Sequence, residues 1–228
     1  MFKSNRLKFY FYPFLIIYSI LILTKFIFVF YLSSYFLEYS LSQTAEAIFY
    51  GYKFDFATSA IVSFVLIWFN YKTKLWAILS AILISTVLFL QIGDIFYFNE
   101  SSRHIGYEIT DIFLDANSLL LTAYEQHTFL TLLSLIFSIA LSIVIYYFFK
   151  QLSSQKIDRY YAIEKLLFLL LTIFFLRGMT QAIPLNPWQS NQIGDNKLAP
   201  LVLNASYNVI YTLINKKKKL DKLKLPFN

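Results

Sequence analysis

LRGMTQAIPLNPWQSNQIGDNKLAPLVLNASYNVIYTLIN, residues Leu176–Asn215, is where the character of the chain changes. Apolar runs dominate what precedes it, and Arg177–Gly178 closes the last of them. Pro184 and Pro187 then stop any helix, because proline lacks the N–H and its ring collides with the preceding turn. Asn186, Gln189, Ser190, Asn191, Gly194, Asp195 and Asn196 make a polar loop. Pro200 suits the first turn of a new helix. In that helix Val202, Ala205, Val209 and Leu213 form an apolar stripe, opposed by Asn204, Asn208 and Asn215. The stretch therefore reads as the exit from a membrane-embedded part. It divides the chain into a membrane domain at 1–183, a juxtamembrane linker and helix at 184–215, and a basic tail at 216–228.

Composition supports that division. Of 228 residues, 58% are hydrophobic and 20% aromatic, more apolar than a soluble domain of this size. Cysteine is absent, which excludes disulfides and thiol chemistry. The net charge of +7 does not indicate nucleic acid, because the basic residues flank apolar runs, where they orient a protein in a bilayer. The N-terminus, MFKSNRLKFYFYPFLII, is charged like a signal peptide, but its apolar run is too long and no small-residue cleavage site follows. It reads as an uncleaved first span.

A helix needs about 20 apolar residues to cross the hydrocarbon. Five stretches qualify, at Phe9–Leu37, Phe54–Tyr71, Leu75–Phe98, Thr128–Phe149 and Ala162–Ile183. The fold class expected is all-α, with five transmembrane helices. Two interfacial amphipathic helices are expected to frame the outer mouth of the bundle. One carries Ile105, Ile109, Ile112, Phe113, Ala116 and Leu120 against Glu108, Asp111 and Asp115; the other follows Pro200. Lys3, Arg6 and Lys8, then Lys72 and Lys74, then Lys150, Lys156, Arg159 and Lys165 fall on one side if the helices alternate. That side is cytoplasmic by the positive-inside rule. The N-terminus is then cytoplasmic and the region after the fifth span extracytoplasmic.

Ionisable groups within membrane spans are costly and mark candidate sites. Lys25 lies within span one, Asp55 opens span two, Asp94 is about one turn from the end of span three, and Arg177 ends span five. Their shared depth suggests a charge network of Lys25 and Arg177 against Asp55 and Asp94. The competing reading is that these charges snorkel to the headgroups and only anchor helix ends. Arg103, beside His104 just beyond span three, offers a bidentate fork to a lipid phosphate or serves as an ordinary interfacial arginine. His127 at the start of span four reads as an interface residue. No nucleophile elbow, HExxH motif, glycine-rich phosphate loop or cluster of metal-ligand spacing is found. No catalytic or metal-ligating residue is assigned to this chain.

Three strings carry a resemblance. They are Tyr50-Gly51-Tyr52-Lys53-Phe54-Asp55; Asp94-Ile95-Phe96-Tyr97-Phe98 followed by Arg103; and Arg177-Gly178, Pro184-Leu185 and Leu198-Ala199-Pro200-Leu201-Val202-Leu203-Asn204. In order and spacing they resemble the N-terminal membrane domain of the lipoteichoic acid synthase family. These are membrane-bound, sulfatase-like phosphoglycerol and phosphoethanolamine transferases. Met179 stands where the family has a second glycine. The resemblance covers roughly Phe9–Leu213 and implies a bacterial plasma-membrane protein whose partners are membrane phospholipids. It also implies a catalytic ectodomain, with a threonine nucleophile and a divalent metal, that moves a phospho-alcohol headgroup. No such residue can be assigned within this chain, so the chain itself is expected to hold no cofactor. Two readings of other classes remain open: a small lipid or solute transporter subunit, and a scaffold for other envelope proteins.

Overall fold

In a computed structural model, the structure describes residues 4–69, 74–106, 109, 116–153, 162–179 and 181–223. Side chains are described within these ranges except at 4–6, 116–127, 130, 131, 134, 153, 162 and 216–223. The regular structure among the described residues is all helical, with no strand. The elements are α1 (Ser4–Tyr31), a 3₁₀ turn (Ser33–Phe36), α2 (Leu41–Tyr50), α3 (Tyr52–Trp68), α4 (Lys74–Ser101), α5 (Ala116–Ser153), α6 (Ala162–Leu176), a second 3₁₀ turn (Pro187–Ile193), α7 (Ala199–Val202) and α8 (Ala205–Leu223).

Three helical stretches are long and apolar enough to cross a membrane: Leu7–Tyr31 of α1, Lys74–Ser101 of α4 and Leu135–Leu152 of α5. The shorter apolar helices α3 and α6 complete the same bundle. α3 packs on α1 and α6, while α4 packs on α1 and α5. Large apolar side chains also cover the outside of the bundle. Leu23, Phe30, Ile82, Phe89, Ile136 and Val144 are all more than half exposed, an arrangement that suits lipid and not water. Small residues line the inner seams. Ala57, Ser59, Ala60 and Ser63 of α3 and Ala77, Ser80 and Ala81 of α4 are buried, which lets helix backbones approach closely.

The two ends of the bundle are built differently. At one end lies a dry aromatic core of Phe9, Tyr10, Trp76, Phe149 and Phe168. Tyr10 stacks on Phe168 at 4.5 Å between ring centroids. The Trp76 indole N–H reaches the Leu66 carbonyl at 3.1 Å, satisfying the one polar atom the ring buries. The opposite end, where α1, α4 and α6 finish and α3 begins, is polar inside. Residues 185–209 close it.

Element boundaries differ from the sequence expectation in instructive ways. The first helix stops at Tyr31, six residues before Leu37. There the chain turns into the Ser33–Phe36 3₁₀ segment, whose Phe36 folds back onto Phe28 and so remains buried without extending the helix. The fifth apolar helix stops at Leu176 and not at Ile183. Gly178 and Met179 both adopt left-handed φ, +62° and +68°, and the Met179 N–H returns to the Phe174 carbonyl at 3.0 Å. This is a helix-terminating hydrogen-bonded turn of the kind glycine favours.

The helix expected after Pro200 is two helices. α7 is a single turn, and α8 restarts at Ala205 behind an Asn204 cap. Its supposed polar side is not solvent-facing: Asn204 is buried and Asn208 half-buried. α8 runs unbroken to Leu223, through the expected boundary between linker and tail. In the loop after α4, Ile105 is not helical but is buried. Glu108, Asp111, Ile112, Phe113 and Asp115 lie outside the described residues.

Candidate functional site

The polar end is built from α1, α3 and α4, each contributing a charged side chain a turn or two from its end. Lys25 Nζ donates to Asp55 Oδ2 at 2.6 Å, and both side chains are nearly inaccessible, at 6% and 1% exposure. The same ammonium lies 3.4 Å from the Val202 carbonyl. Asp55 Oδ1 accepts from Asn204 Nδ2 at 2.9 Å. Asn204 Oδ1 in turn accepts from Thr58 Oγ1 at 3.1 Å and from the Tyr207 N–H at 2.8 Å. One amide thus caps α8 and ties it to α3. Each charge has a partner and further hydrogen bonds, the condition under which buried charges are tolerated.

A second ion pair lies beside the first. α4 ends at Ser101, and the φ of +54° at the following Ser102 turns the chain back so that His104 reaches Asp94, ten residues earlier. His104 Nδ1 is 2.6 Å from Asp94 Oδ2, and Nε2 is 3.0 Å from the Pro200 carbonyl. The Pro200 carbonyl can only accept, so Nε2 donates to it, and Nδ1 donates to the Asp94 carboxylate when the ring is an imidazolium. Asp94 Oδ1 also accepts the Ile105 N–H at 2.7 Å. Burial disfavours the imidazolium. The charge of Asp94, its hydrogen bond and the Pro200 carbonyl together outweigh burial and the nearby Lys25, and hold the His104 pKa above its ordinary value. Gln91 Nε2 to Ser206 Oγ at 3.0 Å and Asn208 Nδ2 to the Ile105 carbonyl at 2.8 Å complete the seam. Between the two ion pairs, Thr24, Lys25, Gln91, Asp94 and His104 border a cavity of about 10 Å³, room for about one water.

Gly51, at the joint of α2 and α3, is the closest approach in this region. A methyl group there would collide with Lys25 Nζ and stand 2.6 Å from the Val202 carbonyl oxygen. Above the ion pairs, Tyr39 donates to Asp195 Oδ2 at 2.7 Å, and Lys197 pairs with Glu38. The Tyr39–Asp195 hydrogen bond raises the Tyr39 pKa to about 12 and lowers that of Asp195.

Of the five residues singled out from sequence, the structure brings Lys25, Asp55 and Asp94 together. It corrects the predicted pairing. Arg177 is exposed and donates to the Ala182 carbonyl, closing its own turn and pairing with neither Asp55 nor Asp94. His104 takes the place predicted for it. Arg103 is exposed beside His104. Gly51, Gln91, His104, Asn204 and Ser206 were missed as partners. Gly51 and Asn204 lay inside the quoted strings, but nothing local marks a residue whose partner is more than 100 positions away. Among the described residues no group of three His, Cys, Asp or Glu side chains is placed to hold a metal. No protein-family model, curated protein or solved structure matches the chain.

Proposed function

We propose that the chain is the membrane domain of a lipoteichoic acid synthase-type, sulfatase-like transferase. Such an enzyme moves a phospho-alcohol headgroup from phospholipid in a bacterial plasma membrane. In this reading the domain crosses five times, through α1, α3, α4, α5 and α6, with its N-terminus cytoplasmic. Its task is to anchor a metal-dependent catalytic ectodomain and fix its footing on the outer face. The chemistry belongs to that ectodomain.

The observation that supports the reading is convergence. The three strings that carry the resemblance are separated by about 40 to 85 residues in sequence, yet they meet at one end of the bundle. Gly51 and Asp55 come from the first string, Asp94 from the second, and Leu185, Pro200, Val202 and Asn204 from the third. Shared motifs that cooperate to seat one outgoing segment suit an anchor better than a solute path. A transporter would expose Lys25 and Asp94 to its cargo, whereas here protein atoms engage both.

Two measurements test this. Reading the DNA 3′ of codon 228 in all three frames should find a domain of several hundred residues, with a threonine nucleophile among acidic and histidine metal ligands. A single cysteine placed at Trp188 should react with a membrane-impermeant maleimide in intact cells, and one at Lys74 should not. Failure to find such a domain there, or in any protein that crosslinks to the Trp188 face, overturns the transferase reading. Reversed labelling overturns the topology.

A further inference from the structure

The ten-residue helix α2 carries three distinct faces. At about 100° per residue, Thr44, Ala47 and the following Gly51 fall on one arc, and all three are buried against the protein. Leu41, Ala45 and Phe49 fall on a second arc and are exposed, Leu41 by 88% and Phe49 by 75%. Ser42, Gln43 and Glu46 fall on a third arc, also exposed. A helix between protein and water has two such faces. A third, apolar and uncovered, calls for a third environment.

The neighbouring side chains indicate which environment. From Phe49 an unbroken series of ring contacts leads along the flank of the bundle: Phe49 to Tyr52 at 5.6 Å, Tyr52 to Phe56 at 5.9 Å and Phe56 to Tyr18 of α1 at 4.8 Å. α1 is a helix apolar enough to cross the membrane, and its outer face shows Phe26, Ile27 and Phe30 more than half exposed. Leu37, in the turn leading to α2, is 81% exposed. The exposed arc of α2 is thus continuous with the flank of a membrane helix.

We propose that α2 lies in the membrane interface with Leu41, Ala45 and Phe49 inserted among lipid acyl chains. Ser42, Gln43 and Glu46 face the water layer, and Thr44 and Ala47 face the protein. The occupant of the apolar arc is the lipid bilayer. Through the pairs Tyr39–Asp195 and Glu38–Lys197, the segment leading into α2 is tied to the juxtamembrane loop, so this lipid contact sets the height and tilt of residues 186–204 above the bilayer.

The natural chain has no cysteine, so Ala45→Cys and Glu46→Cys each create a unique labelling site on the whole protein. Each would carry an environment-sensitive fluorophore and be reconstituted into phosphatidylglycerol/phosphatidylethanolamine vesicles, with and without lipids bearing a nitroxide high on the acyl chain. The label at 45 is expected to be quenched several-fold more by nitroxide lipid than by aqueous iodide, with the opposite ranking at 46. Equal iodide quenching at both sites overturns the proposal in favour of a water-exposed helix. Shielding of position 45 from both quenchers overturns it in favour of a protein cover, and dilution into excess lipid then tells a second copy from another partner.

Discussion

Gly51 has ordinary right-handed backbone angles, so its need for a hydrogen side chain comes from its neighbours. Gly51→Ala drives a methyl group into Lys25 and the Val202 carbonyl. Thermal unfolding in detergent should show a loss of at least about 1–3 kcal/mol, the usual scale of overpacking. Met179 presents the opposite case: its φ of +68° is one that only glycine adopts without cost. Met179→Gly should therefore raise stability by about 1 kcal/mol in the same assay. His104 supplies the pH dependence. Its folded pKa is raised, so the stability it lends is complete below its unfolded value near 6.5 and is lost as pH climbs through the folded value. The melting temperature should fall on going from about pH 6 to pH 9, and His104→Gln should flatten that slope. An unchanged slope in the variant would assign it to other groups.

At the scale of elements, α8 depends on its first residues. Asn204 caps the helix through Oδ1 and holds Asp55 through Nδ2. Asn204→Ala removes the cap, worth about 1 kcal/mol, and also leaves Asp55 short of a partner, worth about 1–3 kcal/mol. Amide hydrogen exchange should accelerate at residues 205–208 while the middles of α1 and α4 keep their protection. Exchange that speeds up evenly would show that α8 is no separate unit. The existence of the apolar helices was legible in sequence, because runs such as Leu75–Phe98 leave no soluble alternative. Lys25, Asp55 and Asp94 were legible for the same reason, since a charge inside such a run has to find a partner. The identity of the partners was not. His104 lies past the end of its helix and returns only through the left-handed turn at Ser102. Asn204 and Asn208 looked like the wet side of a helix, because helical spacing says nothing about a second surface packed on the polar face. Arg177 shared the depth of the charge cluster, but depth along the membrane normal does not fix where around the bundle a residue points.

Across the whole molecule, one end is held chiefly by aromatic packing and the other by buried ion pairs and hydrogen bonds set among apolar side chains, and the two should fail differently. Trp76 is 1% exposed and sits between Phe9 and Phe149. Trp76→Ala should lower global stability by about 3–5 kcal/mol, with all helices losing exchange protection together. Changes at the polar end should loosen residues 185–209 first and leave the bundle assembled. A uniform response to both kinds of change would mean that the two ends form a single cooperative unit.

The atoms by which Lys25 and His104 hold the outgoing segment are the carbonyl oxygens of Val202 and Pro200. Every amino acid carries that group, so evolution can rewrite the side chain at position 202, within the limits of its tight surroundings, without touching the recognised atom. The donors have no such latitude, because an ammonium or imidazolium at the right height has few substitutes. Divergent copies of this gene should therefore keep the lysine, the histidine and their two aspartates long after the segment they grip has drifted beyond recognition.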